Sequence, residues 1–258
     1  MREAIRAEWA KTWSDPVTPW LLAGLVVLSA AVSAATIAAA RCPACVAGGC
    51  TQDPARISLT GVYVGQAVAA LAGVLAIGTE YGTGMIRVTL TALPGRDRLL
   101  AAKALVLAGP VLAAAAVTLG AAMLAGVFVL PDHGFTAARG FDLASASMWR
   151  AWCCAAVYLA LVALLALGVT AVVRDSAAAI GIVLGILYLF PVIAKAVGDQ
   201  AVARHLEQIG PLAANLDSQA TTGQPGLPLT PWQGLGVVAL WAAGALLLGG
   251  VALRLRDA

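Results

Sequence analysis

Apolar residues run through this chain in long blocks, and the polar ones gather between them. Six blocks reach the roughly 18 consecutive apolar residues that a membrane helix needs, at 16–40, 58–78, 99–130, 148–173, 177–196 and 232–253. They are built mainly of Ala, Leu, Val and Gly and lack the two-residue alternation of an outer-membrane strand. The pattern predicts an all-α polytopic membrane protein, with 1–258 forming one transmembrane domain. The third block is too long for one straight crossing of a core about 30 Å thick at 1.5 Å per residue. Gly109-Pro110 lies inside it, which predicts a kink. Trp20, Trp149, Trp152 and Trp232 fall near block ends, where interfacial aromatics sit.

Ahead of the first block, residues 1–15 read as an amphipathic helix. Ile5, Trp9 and Trp13 recur at a spacing of four, with Glu3, Arg6 and Lys11 off that stripe. Such a helix can lie in the membrane interface. Ser14-Asp15-Pro16 then supplies a capping residue and a proline suited to a new helix start.

Composition agrees with this picture. Of the 258 residues, 61% are hydrophobic and 11% charged, too few charges to cover a soluble domain. Mean hydropathy is +0.89. The first fifteen residues lack the apolar stretch and cleavage site of a secretory leader, so the first span is expected to act as an uncleaved anchor. Arg outnumbers Lys by thirteen to three in an Ala-rich chain, a usage that fits a GC-rich bacterial genome. With the amino terminus inside, Arg2, Arg6, Lys11, Arg87, Arg96, Arg98, Lys103, Arg174, Arg254 and Arg256 fall on the cytoplasmic side. Arg41, Arg56, Arg139, Arg150, Lys195 and Arg204 fall outside. This bias of ten to six predicts a bacterial plasma-membrane protein with both termini cytoplasmic.

Missing chemistry narrows the function. No Asp or Glu falls well inside a predicted span, and both His133 and His205 fall in outer loops. A proton-driven carrier needs a titratable group at depth, and intramembrane hydrolases or transferases need polar catalytic groups there. A phosphate loop needs Lys after Gly, whereas Lys11, Lys103 and Lys195 each follow Ala. The chain is therefore not expected to be an enzyme or to bind a cofactor or metal. Any ATP must sit on a partner, and no nucleic-acid partner is expected.

The most informative stretch is the predicted cytoplasmic loop at 79–98. Thr83 is placed to cap a short helix over 83–93, with Ile86, Leu90 and Leu93 on one stripe and Arg87 off it. Pro94-Gly95 ends it in a turn. A short helix held parallel to the membrane between two spans suits docking on a soluble partner.

This stretch resembles the signature of the type-2 ATP-binding-cassette exporter permeases: Glu, then Gly-Thr, an apolar-Thr-Leu run, Pro, Arg and Lys. The matching residues are Glu80, Gly82-Thr83, Thr89-Leu90, Pro94, Arg96 and Lys103, with Gly84 and Met85 intervening where many such permeases run directly into the apolar segment. The resemblance extends to an amino-terminal segment bearing Glu8-Trp9 and Lys11, to six spans and to a long loop before the last. It implies a transmembrane subunit that pairs with a second permease copy or paralogue and recruits two ATPase subunits carrying ATP and Mg. These would grip the amino-terminal helix and the coupling helix after the second span, with Glu80, Gly82, Thr83, Ile86, Arg87, Thr89, Leu90 and Leu93 as coupling residues. It further implies export of an amphiphile: a drug, antibiotic, lipid or peptide.

Other features stay open at this level. Gly61, Gly65, Ala69 and Gly73 form a small-residue stripe, and Gly181 and Gly185 repeat the spacing. Either stripe serves packing inside one subunit or a dimer contact. Tyr63, Gln66 and Tyr188 either line a pathway or bond to a neighbouring helix. Cys42, Cys45 and Cys50 cluster in the first outer loop, where a disulfide is the expected chemistry, with no pairing assigned. The loop at 197–231 holds an amphipathic piece bearing Val202, Leu206 and Ile209. Two other functions compete: a membrane anchor or assembly protein that holds a soluble partner without transport, and an ion-gradient carrier, which the missing charges disfavour.

Overall fold

A computed structural model describes residues 2–41, 53–92, 95–133, 135, 145–197, 200–212, 219, 221 and 230–255. Every regular element among them is helical: α1 (Arg2–Ser14), α2 (Val17–Ala39), α3 (Pro54–Ser58), α4 (Val62–Gly82), α5 (Met85–Ala92) and α6 (Arg96–Val129). A 3-10 turn (Leu130–His133), α7 (Ala146–Val173), α8 (Ser176–Ala196), α9 (Gln200–Ile209) and α10 (Pro231–Leu255) follow. Among the described residues, six helices are long and apolar enough to cross a membrane: α2, α4, α6, α7, α8 and α10. The chain is a multi-pass helical membrane protein.

Helix α7 forms the centre, packed against α4, α6, α8 and α10. Its Tyr158, Leu159, Val162, Ala163 and Leu167 are fully buried. Small residues let neighbours approach it closely. A Cβ built on Gly73 of α4 would lie 2.1 Å from the Ala163 carbonyl oxygen and 2.8 Å from the Ala166 Cβ. One on Gly61 would meet Ser29 backbone on α2 at 2.2 Å. The Gly61/Gly65/Gly73 stripe is therefore internal packing. Gly181 and Gly185 on α8 have nothing within 4 Å, so the second stripe, identical in spacing, packs against nothing among the described residues. Gly73→Leu should accordingly force α4 from α7 and destabilise the fold by about 1–3 kcal/mol or more. Gly185→Leu should leave stability unchanged. Thermal unfolding of the two purified variants checks this, and equal melting temperatures would refute it.

The spans follow the hydropathy pattern with shifted ends. Asp15 ends α1 as expected, its carboxylate accepting from Val17 N–H at 3.0 Å at the start of α2. Ser58 belongs to the separate helix α3, which Asp53 caps, and α4 begins only at Val62. Helix α6 starts at Arg96 and runs unbroken through Pro110. Trp20, Trp149 and Trp232 near span ends are 77%, 56% and 69% exposed, presenting their faces outward. The amphipathic piece expected in the loop before the last span is α9, with Val202 and Ile209 exposed and the Ile209 carbonyl accepting from the Trp241 indole at 3.0 Å.

Three expectations are corrected. The second span does not stop at residue 78; α4 continues to Gly82, so Glu80 is a helix residue and only 1% exposed. A carboxylate therefore does lie buried inside a span-forming helix, because cations from two other helices neutralise it. Thr83 does not cap the short helix: it ends α4, its hydroxyl donating back to Thr79 O at 2.8 Å. The reason is Gly84, whose φ of +73° lies in the left-handed region that glycine tolerates best. It reverses the chain after Thr83, and α5 starts at Met85. Leu93 and the side chains of Arg87 and Leu90 lie outside the described residues, as do Cys42, Cys45 and Cys50.

Candidate functional site

One end of the bundle gathers α1, the last turns of α4, α5, the first turns of α6, the α7–α8 turn and the end of α10. Its chemistry centres on four charges. Lys103, two turns into α6, donates from Nζ to Glu8 Oε2 of α1 at 2.8 Å and also to Glu80 Oε1 of α4. Its third contact is the Ala76 carbonyl at 3.4 Å. Lys11 donates to the same Glu80 oxygen at 2.5 Å. Glu8, Glu80 and Lys103 are 5%, 1% and 3% exposed, while the Lys11 side chain reaches solvent at 36%.

Local structure explains the convergence. Glu8 and Lys11 stand one turn apart on α1, so one face of that helix presents a carboxylate and an ammonium together. Ala4 on that face is buried, while Trp9 and Trp13 point the other way, half-exposed, with ring centroids 5.6 Å apart. The face of α1 that meets the protein is thus the charged one, and the tryptophan stripe that also holds Ile5 faces outward. Taking a lone charge out of water costs several kcal/mol. Two carboxylates against two ammoniums form a neutral set that three helices can share at depth. Glu80 Oε2 is buried without a hydrogen-bond partner. A cavity of about 90 Å³ opens beside the cluster between α1, α2, α4 and α6, with Asp15, Thr79 and Leu107 in its wall.

Further polar contacts lock the same end. Arg174 closes α7 in the left-handed conformation, with φ 63°. Its guanidinium stands 5.7 Å over the Tyr81 ring of α4 and donates to Ala252 O of α10 at 3.4 Å. Asp175 then caps α8, accepting from Ala178 N–H at 2.7 Å. The short helix α5 turns Ile86 inward, where at 4% exposure it joins the common core. Among its described side chains, the outward apolar ones are Met85 and Val88, 46% and 68% exposed. Thr89 bonds within the helix, to Met85 O at 3.1 Å. Gly82 has open space around it. Of the predicted coupling residues, Glu80 and Ile86 therefore face the chain's own interior.

A second polar group sits deeper in the bundle. Gln66, fully buried on α4, accepts through Oε1 from the Tyr158 hydroxyl of α7. Its Nε2 has no hydrogen-bond partner, and neither does Ser29 Oγ on α2. Tyr188 of α8 donates to Tyr63 O at 2.5 Å, and the Tyr63 ring is 37% exposed. Gln66 thus bonds a neighbouring helix, while Tyr63 and Tyr188 form the polar edge of the outward α4–α8 face. Among the described residues no group of three or more His, Cys, Asp or Glu side chains is placed to hold a metal ion.

Sequence reasoning noted Glu8, Lys11 and Lys103 only as parts of a pattern and did not place them together. The available signal was a lysine four residues inside a predicted span, since such a charge needs a partner. Compared with known proteins, the chain matches no family model and no curated sequence.

Proposed function

We propose that this chain is the membrane-embedded subunit of an ATP-driven exporter, moving an amphiphile such as a drug, antibiotic, lipid or peptide out of a bacterial cell. The observation that carries this reading is the buried charge cluster of Glu8, Lys11, Glu80 and Lys103. Helix α1 lies outside the hydrophobic bundle, yet it is pinned to two spans at once through groups that are costly to separate. A displacement of α1 or of the neighbouring α5 would be delivered to α4 and α6 together. A membrane anchor has no need of such a rigid connection; a transporter driven by a soluble engine does.

In this reading two ATPase subunits, holding ATP and Mg, grip α1 and the exposed Met85–Val88 side of α5, and both termini are cytoplasmic. The outward tryptophans of α1 lie in the membrane interface. A second permease copy or paralogue completes the pathway, to which Tyr63 and Tyr188 contribute polar edges. The test is purification of the tagged chain from its native membrane. An ATPase should co-purify, and its turnover should rise with an amphiphilic substrate. A soluble partner without ATPase activity would instead make the chain an anchor.

A further inference from the structure

The cavity beside the charge cluster has two kinds of wall. One is apolar, with Leu22 of α2, Leu75 of α4, and Leu107 and Val111 of α6. The other comes from α1 and the turn after it, with Glu8, Lys11, Thr12 and Asp15, joined by Thr79 of α4 and Lys103 of α6. Sequence spacing accounts for the polar wall. Positions 8, 12 and 15 recur at four and three, so they share one helix face. The Asp15 N–H still bonds to Lys11 O at 3.2 Å, which carries the helical turn that far. Arg2 and Arg6 fall off that face and are exposed.

The charges at this wall do not balance. Lys103 spends its three N–H groups on Glu8, Glu80 and the Ala76 carbonyl, and Lys11 pairs with Glu80. Two lysines thus match Glu8 and Glu80, and Asp15 is left over. Its carboxylate accepts through Oδ1 from the Val17 N–H at 3.0 Å and makes no ion pair among the described residues. That bond caps α2 and uses one oxygen, so Oδ2 remains available. A carboxylate is favoured at a helix N-terminus, which explains the cap but not its place on the wall of an apolar cavity. The Thr12 and Thr79 hydroxyls donate to Glu8 O and Leu75 O at 2.8 and 3.0 Å, so they have only lone pairs left to offer. Lys11 keeps N–H groups to spare, but its charge is already matched and its side chain reaches solvent.

We infer that this cavity binds a small amphiphile bearing a protonated amine, with the ammonium on Asp15 and the carbon chain along the leucines. The unmatched carboxylate selects a cation over an anion or a neutral head, and the acceptor-rich wall selects one that donates N–H bonds. No aromatic ring lines the cavity. A quaternary ammonium, which aromatic faces hold and which cannot donate, therefore lacks its usual recognition. Size limits the ligand as well. An apolar cavity of about 150 Å³ holds a benzene ring, so one of about 90 Å³ takes an ammonium head and a few carbons. Lys103 belongs both to this wall and to the charge cluster, so the ligand sits against the connection between α1 and the spans. The inference goes beyond the transport reading and stands without it, since binding needs no ATPase.

The experiment uses the full chain in phosphatidylcholine nanodiscs, with empty nanodiscs as the blank and calorimetric titration and thermal unfolding as readouts. Four probes share a six-carbon chain: hexylamine, hexyltrimethylammonium, hexanol and hexanoate. Hexylamine should bind saturably and raise the melting temperature, with the other three at least tenfold weaker. Asp15→Asn keeps a capping side chain, since Asn serves that position as well as Asp. It should therefore melt like the wild type yet bind hexylamine about tenfold more weakly, the worth of a hydrogen bond to a charged group. Leu22→Trp, at a half-buried position on the apolar wall, should fill the space and abolish binding with every charge in place. Equal binding of all four probes would reduce the cavity to an apolar sink and overturn the inference. Tighter binding of hexanoate would place the head on Lys11 and overturn it as well. Undiminished hexylamine binding by Asp15→Asn would leave Asp15 a helix cap only, and undiminished binding by Leu22→Trp would put the site elsewhere.

Discussion

Lys103→Met should be the most damaging single substitution at the end of the bundle that carries the charge cluster. Methionine fills much of the lysine stem's volume, so little packing is lost, and the effect isolates the charge. Removing Lys103 leaves Glu8 and Glu80 buried together with only the partly exposed Lys11 to serve them. Breaking a buried ion pair by deleting one partner costs about 3–5 kcal/mol, because the remaining charge stays uncompensated. Two carboxylates in one site add mutual repulsion. The expected result is release of α1 from the spans, read as protease cleavage after Arg2 or Arg6 in detergent, with a lowered melting temperature. Combining three substitutions makes the test specific. Adding Glu80→Gln and Glu8→Gln to Lys103→Met should recover much of the loss, since a neutral buried network is far cheaper than a charged one. Additive losses would mean that the four groups do not act as a unit.

The parts of this structure that were legible in the sequence are those set by local pattern. Six apolar blocks became six helices of spanning length because the backbone of such a segment must satisfy its own hydrogen bonds in lipid. The break at Asp15-Pro16 and the amphipathic α9 were equally local. Glu80 was not legible. A charge after an apolar run reads as the end of a span, and its neutralisation came from residues far away in sequence: Lys103 at 23 positions and Lys11 at 69. The same limit governs the glycines. Gly61-x-x-x-Gly65 and Gly181-x-x-x-Gly185 are indistinguishable as patterns, yet one pair meets α2 and α7 at contact distance and the other meets nothing among the described residues. Face assignment on short helices fails for the same reason. On α1 the tryptophans marked the apolar stripe, but the ion pairs decided which face packs inward.

Val88→Asp should separate the coupling role proposed for α5 from its structural one. The structure divides the helix into an inward residue, Ile86, held in the common core, and outward apolar residues, Met85 and Val88. Solvent alone gives no reason for Val at 68% exposure beside Met at 46% on an eight-residue helix that starts after Gly84. Single exposed apolar residues are unremarkable, but these two lie three positions apart and so share a face. If an ATPase covers that face, burying one such side chain contributes about 1.5–3 kcal/mol to docking. An aspartate there should weaken binding by about ten- to a hundredfold. The variant should fold and insert normally, with an unchanged melting temperature, yet lose ATPase recovery and substrate-stimulated ATP hydrolysis. Ile86→Asp provides the contrast: a buried charge without a partner should lower stability first and abolish docking only as a consequence. Leu90→Asp, on the stripe read from sequence, tests whether the docking face extends further along the helix. Full recovery of the ATPase with Val88→Asp, together with unchanged export, would place the outer face of α5 against lipid rather than a soluble engine.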